Sequence, residues 1–169
     1  MTKAKGPLFD VHFRRRREGI TDYATRLALL KSQLPRAVVR KSNRLILVQI
    51  TSYAPEGDCT VCQASSKELS KHGFEGKCNT PSAYLTGLLA GKKALAKGVK
   101  TAVADIGRQT ATKGGLLFAA VKGIADSGVK ISLGGEITPS DERVQGTHLK
   151  QGAKEKFEQA RKNITGANE

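Results

Sequence analysis

At 169 residues the chain has the length of one ordinary domain, enough to bury a core without disulfides or metals. Its 29 Lys and Arg face 15 Asp and Glu, a formal charge of +14, so its field attracts polyanions, with nucleic acid the first suspect. Apolar runs such as Leu45-Ile46-Leu47-Val48 fall far short of the ~20 residues of a membrane-spanning helix, no apolar leader follows Met1, and three cysteines suit a reducing cytosol.

The charge is uneven. Residues 1–50 hold 12 basic and 3 acidic side chains, leaving 17 and 12 for the rest, so the front end is the expected anion-gripping surface. Residues 1–20, with Gly6, Pro7, Gly19 and Arg14 to Arg17, lack apolar periodicity and read as an arm ordered by its ligand. A helix over about 22–33 follows, capped by Thr21 or Asp22 and stopped by Pro35. Its Tyr23, Leu27 and Leu30 share a face expected to pack on a sheet.

Three strands come next, at Ala37–Arg40, Leu45–Tyr53 and Asp58–Ala64, with Ser42-Asn43 and Pro55-Glu56-Gly57-Asp58 as turns, an antiparallel meander. Apolar residues on both faces of the second strand predict that it is covered on both sides. A helical turn is expected at Ser66–His72. Thr80-Pro81-Ser82 then opens a helix to about Lys97, ended by Gly98, in which Gly87, Ala90, Gly91 and Ala94 admit close approach.

Val99–Ile106 reads as a buried strand, and Leu117, Ala120, Val121 and Ile124 mark a helix ended by Gly128. A strand at Val129–Leu133 would complete a parallel crossover. The expected fold is therefore a single α/β domain over 21–148, a mixed sheet flanked by helices. A basic arm (1–20) precedes it, and a charged tail (149–169), a solvated helix or a segment without fixed structure, follows.

The sharpest chemical signal is Phe9, His12, Phe13, Arg14, Arg15, Arg16, Arg17, Tyr23 and Arg26, where rings alternate with guanidinium groups. Arginine forks pair with phosphates, and flat groups stack on unpaired bases, so this mixture suits RNA. Arg36, Arg40, Lys41 and Arg44 extend the same surface. Lys113-Gly114-Gly115 precedes a helix and reads equally as a phosphate contact or a plain turn; it lacks P-loop spacing.

Cys59-x2-Cys62 with His72 and Cys78 has the count for zinc, but a pleated strand sends the first two to opposite faces, so buried thiols are expected. Asn163-Ile164-Thr165 matches a glycosylation site by chance. Asp105 at a strand end could serve a metal-dependent nuclease, yet no acids converge on it, and a capping role is favoured. Neither catalysis nor any cofactor or metal is expected.

Phe13-Arg-Arg-Arg-Arg-Glu-Gly19, Thr21-Asp22-Tyr23, Pro35-Arg36 and Val39-Arg40-Lys41-Ser42-Asn43 occur in that order. Pro81-Ser82-Ala83-Tyr84-Leu85-Thr86-Gly87-Leu88-Leu89-Ala90-Gly91, Asp105-Ile106-Gly107, Thr112-Lys113-Gly114 and Gly146-Thr147-His148 continue the series. Together they resemble the archaeal and eukaryotic-type family of large-subunit ribosomal protein eighteen over roughly residues 6–148. The resemblance implies a mixed-sheet α/β domain without catalytic activity. It implies 5S ribosomal RNA as partner, together with large-subunit ribosomal RNA and neighbouring proteins including ribosomal protein five, in the central protuberance of the cytoplasmic ribosome. Through it, Arg14, Arg15, Arg16, Arg17, Tyr23, Arg26, Arg40, Lys41, Ser42 and Asn43 would face RNA, with Lys113 a secondary candidate. The chain departs from the family pattern at Arg108–Ala111 and in its short tail.

Overall fold

The computed structural model describes residues 6–149 and 152–166. A single turn α1 (Arg14–Arg17) and helix α2 (Tyr23–Lys31) precede the meander β1 (Arg36–Lys41), β2 (Ile46–Ser52) and β3 (Cys59–Ser65). After a 3-10 stretch at Ser66–His72 come the long helix α3 (Thr80–Ala96), strand β4 (Val103–Asp105), α4 (Leu116–Asp126), a second 3-10 turn at Gly135–Ile137, the short α5 (Asp141–Gln145) and α6 (Ala153–Gly166). The sheet order is β3-β2-β1-β4, with both meander pairings antiparallel and β1 parallel to β4. The α/β domain with a mixed sheet is therefore as expected. No helix among the described residues is long and apolar enough to cross a membrane.

The pleat sorts the strands. Ala37, Val39, Ile46, Val48, Ile50, Cys62 and Ala64 are buried on one face, against which α3 and α4 pack. The other face carries Val38, Arg40, Leu47, Gln49 and Gln63, which are half-buried or exposed. The expectation that β2 is covered on both sides thus fails: Leu45 and Leu47 line an open face. A register slip beside Ile50 and Thr51 leaves Val61 as a bulge and breaks the alternation expected to separate Cys59 from Cys62. The two thiols nevertheless differ: Cys59 is exposed beside the Gly57 carbonyl, whereas Cys62 is buried against the Ala90 carbonyl, and burial pushes its thiol up.

Helix α3 is the spine of the core, buried continuously from Thr80 to Gly91. Its cap is Asn79, one residue before the expected Thr80; the Asn79 side-chain oxygen accepts from the Ser82 N–H at 2.9 Å. Gly98 ends it with φ +80°, a conformation that glycine adopts without the Cβ penalty. Close approach to α4 depends on absent side chains. A Cβ on Gly87 would lie 2.0 Å from the Ala120 carbonyl oxygen, and one on Gly123 2.1 Å from that of Tyr84. Helix propensity alone makes Gly123→Ala stabilising by about 1 kcal/mol, whereas overpacking costs about 1–3 kcal/mol or more. We expect packing to win: Gly123→Ala lowers the urea midpoint, and a raised midpoint would show that α3 and α4 can move apart cheaply.

Three expectations fail for one reason, the priority of packing over local pattern. Val129–Leu133 forms no strand; a single parallel bridge joins Thr101 to Lys130, while Val129 is buried and Ile131 and Leu133 pack on the core. The tail is no solvated segment: α6 buries Phe157, Ala160 and Ile164, and the Phe157 ring lies 5.7 Å from that of Tyr84. Conversely α2 buries none of its residues, and Leu27 on its supposed core face is 56% exposed.

Candidate nucleic-acid interface

The residues singled out for RNA gather on the arm, on α2 and on the interior strand β1 with its turn to β2. Phe13 caps α1, whose four arginines are all exposed. Gly19, at φ +68°, turns the chain so that the Ile20 N–H reaches the Arg15 carbonyl at 2.9 Å, and Arg15 Nε donates to Thr21 Oγ1 at 2.8 Å. The Phe13 ring, 74% exposed, stands 5.5 Å from that of Tyr23 at an interplanar angle of 46°. Described from residue 6, the arm thus has one helical turn, one fastening to α2 through Tyr23 and one to Thr21 just before it. That is more local order than its composition indicates.

Helix α2 starts at Asp22, whose Oδ1 accepts from the Ala24 and Thr25 N–H groups and whose Oδ2 accepts from the Thr25 hydroxyl. The hydrogen bonds from the Thr25 hydroxyl and backbone lead the effects that hold this carboxyl below its usual value. With nothing buried, α2 is fastened to the sheet by charge: Arg26 Nη2 donates to both oxygens of Asp58 at 2.9 Å. Asp58 also pairs with Arg36. Partial burial pushes its carboxyl up, but the two arginines outweigh this and hold it below the usual range.

Arg36 is only 4% exposed, and its Nη1 donates to Asp105 Oδ2 at 2.9 Å. Asp105 Oδ1 in turn accepts from the Gly107 N–H at 2.8 Å and from Arg40 Nη2 at 3.2 Å. The chain Arg26, Asp58, Arg36, Asp105, Arg40 thus ties α2, β1, β4 and the loop before β3 together. Arg36 is therefore corrected from an RNA contact to a buried strut, because both ends of its fork are taken. Arg26 and Arg40 are partly spent, though each keeps about a third or more of its side chain exposed. Asp105 has the capping role, its oxygens occupied by cations and a backbone N–H.

At the β1–β2 turn Lys41, Ser42, Asn43 and Arg44 are exposed. The Ser42 Oγ accepts from the Leu45 N–H at 3.0 Å, so its hydroxyl closes the turn. Lys113 stands apart, 77% exposed and 3.8 Å from Glu136 on the loop before α4. One residue was missed. Arg108 lines the cleft that holds Arg15, Thr21, Asp22, Arg26 and Arg40, and it also faces Arg16 and, on its other side, Lys41. A single arginine in an aperiodic loop carries no sequence signal of that position.

This architecture and charge distribution agree with the comparisons to known proteins. The family model described as ribosomal large subunit proteins 60S L5 and 50S L18 matches residues 8–104, from the arm through β4. The chain belongs to this family. It is 52% identical over 145 residues to large ribosomal subunit protein uL18 of Caldivirga maquilingensis, covering 85% of this chain and 70% of the relative. The uL18 proteins of Korarchaeum cryptofilum and Methanococcoides burtonii are each 50% identical over 147 residues, 86% of this chain and 75% and 85% of theirs. The L18 family is one of structural ribosomal proteins and not of enzymes. Its matched span includes every RNA-facing residue anticipated above except Lys113, and it stops short of Arg108.

Proposed function

We propose that this chain binds 5S ribosomal RNA and anchors it in the central protuberance of the large subunit, beside large-subunit ribosomal RNA and ribosomal protein five. The observation that carries this reading is the unequal fate of the charges on the arm side. Asp22, Asp58 and Asp105 are consumed by a helix cap and by buried or half-buried ion pairs. Arg14, Arg15, Arg16, Arg17, Lys41 and Arg44 stay exposed. The surface is therefore a field of cations that outnumber the acids left exposed beside them, Asp10 and Glu18.

Such a surface binds RNA through its backbone first. Guanidinium forks pair with phosphates and supply affinity, and the arm that carries four of them is held to the start of α2 through Arg15 with Thr21 and Phe13 with Tyr23. The tilted Phe13 and Tyr23 rings offer faces on which an unpaired base can stack, and the polar open face of the sheet offers shape without a pocket. No bond is made or broken; the protein's work is to hold a folded RNA in one orientation on the cytoplasmic ribosome.

The test is a titration into labelled 5S RNA at about 150 mM salt with excess transfer RNA as competitor, repeated with residues 1–20 deleted. We expect competitor-resistant binding that the deletion abolishes. Binding that transfer RNA removes would reduce the protein to a generic polycation and overturn the 5S assignment.

A further inference from the structure

Arg108 follows β4 in the loop after Asp105, outside the matched family span, and three observations about it converge. It is exposed, and among the described residues its side chain forms no hydrogen bond or ion pair. Its guanidinium lies over Gly19, where an added Cβ would meet Arg108 Nη1 at 3.1 Å. Gly19 is also the residue whose positive φ turns the arm. Finally, it looks into the clefts that contain Arg15 and Arg16 on the arm.

The neighbouring charges give this position its meaning. Arg26, Arg36 and Arg40 in the same cleft have carboxylate partners. Arg15 spends only its Nε, on Thr21, and Arg16 makes no side-chain bond among the described residues. The nearby acid, Asp22, is occupied as the cap of α2. Arg108 therefore stands between two adjoining clefts, one shared with Arg15 and the other with Arg16, and the three guanidinium groups keep most of their donors unspent. Asp22 lines both clefts and lies within electrostatic reach of Arg108, but its oxygens are taken by the helix cap, so the cations still outnumber the acid and can accept a phosphate, whose oxygens suit the planar fork.

We infer that Arg108 is an RNA-contacting residue that closes, together with Arg15 and Arg16, a site for a backbone phosphodiester between the arm and the loop that follows β4. The inference rests on the RNA-binding reading and adds to it a grip from the core. A strand seated there touches the arm and the domain at once, so its binding fixes the arm against the sheet. An arginine packed on glycine, with no Cβ beneath it, can lie flat and keep its outward edge for the ligand.

The experiment compares wild type, Arg108→Gln and Arg108→Lys for 5S RNA affinity over a series of salt concentrations, with thermal melts of each protein. We expect Arg108→Gln to lose about tenfold in affinity and roughly 0.7–0.9 from the log–log salt slope, with an unchanged melting temperature. Arg108→Lys should keep the slope while losing part of the affinity, because a point charge replaces a fork. An unaltered slope and affinity in Arg108→Gln would overturn the site and leave 5S binding intact. Equal losses in both variants with a lowered melting temperature would make Arg108 a brace for the arm only, and a wild type that does not bind 5S RNA would overturn both readings.

Discussion

Replacing Arg14, Arg15, Arg16 and Arg17 together with Ala should cost on the order of a hundredfold in 5S RNA affinity at moderate salt. It should also flatten the log–log salt dependence by up to about 3, since each lost phosphate contact removes roughly 0.7–0.9. The fold should survive the change. None of the four side chains is buried, the one hydrogen bond among them, Arg15 Nε to Thr21, is exposed, and so is the one ion pair, Arg14 with Glu18 at 3.9 Å. Circular dichroism and the melting temperature should therefore match wild type. The salt slope separates two accounts of the arm: a loss of affinity at constant slope would mean that the arm stacks or orders without pairing to phosphates, and an unchanged affinity would sink the arm as the grip. A graded series of single substitutions should lose slope in proportion if the four act as independent cations.

How much of this was legible in the sequence depends on how local each cause is. The i, i+3, i+4 spacing of Leu117, Ala120, Val121 and Ile124 and the terminators Gly98 and Gly128 act within a few residues, and they delimit α3 and α4 closely. The small residues of α3 predicted a close neighbour, and α4 occupies that place. A helix in the tail was among the expectations, but its docking was hidden by composition: Phe157, Ala160 and Ile164 make a narrow apolar stripe among Lys and Glu, and only a docking surface on Tyr84 shows what the stripe is for. The apolar face of α2 misled in the opposite direction, because Leu27 finds no core to enter.

The site divides along the same line. An exposed run of arginines declares itself wherever it sits, so Arg14 to Arg17 were readable at once. The roles of Arg26, Arg36 and Arg40 were not, because their partners lie 32, 69 and 65 residues away in sequence. An arginine bound for a phosphate and one bound for a buried aspartate look the same in a sequence. Only the sheet order, which places β4 against β1, brings Asp105 to Arg36 and tells the two apart.

That separation makes Asp105→Ala the most damaging single change expected in the domain. Asp105 is 6% exposed and serves three donors at once: Arg36 Nη1, Arg40 Nη2 and the Gly107 N–H. Removing it leaves the buried Arg36 guanidinium with only the Asp58 carboxylate that it shares with Arg26; a buried charge stripped of its partner costs about 3–5 kcal/mol, and this partial loss should cost less than that but still a large share of the roughly 5–15 kcal/mol that holds a domain together. The Gly107 turn loses its cap as well, and Gly107 cannot be repaired by a larger residue, since its φ is +61° and a Cβ there would press on the Arg40 guanidinium at 2.9 Å. Asp105→Asn should be milder, because an amide oxygen still accepts from Gly107 and Arg40 while the charge on Arg36 is only half-matched. Urea unfolding of the two variants measures the difference directly. A cost below about 1 kcal/mol for Asp105→Ala would mean that water reaches Arg36 and that the network is a surface feature. The expected larger cost would establish that the basic surface is built on a buried ion-pair frame, with Arg36 holding the frame and its exposed neighbours free to meet RNA.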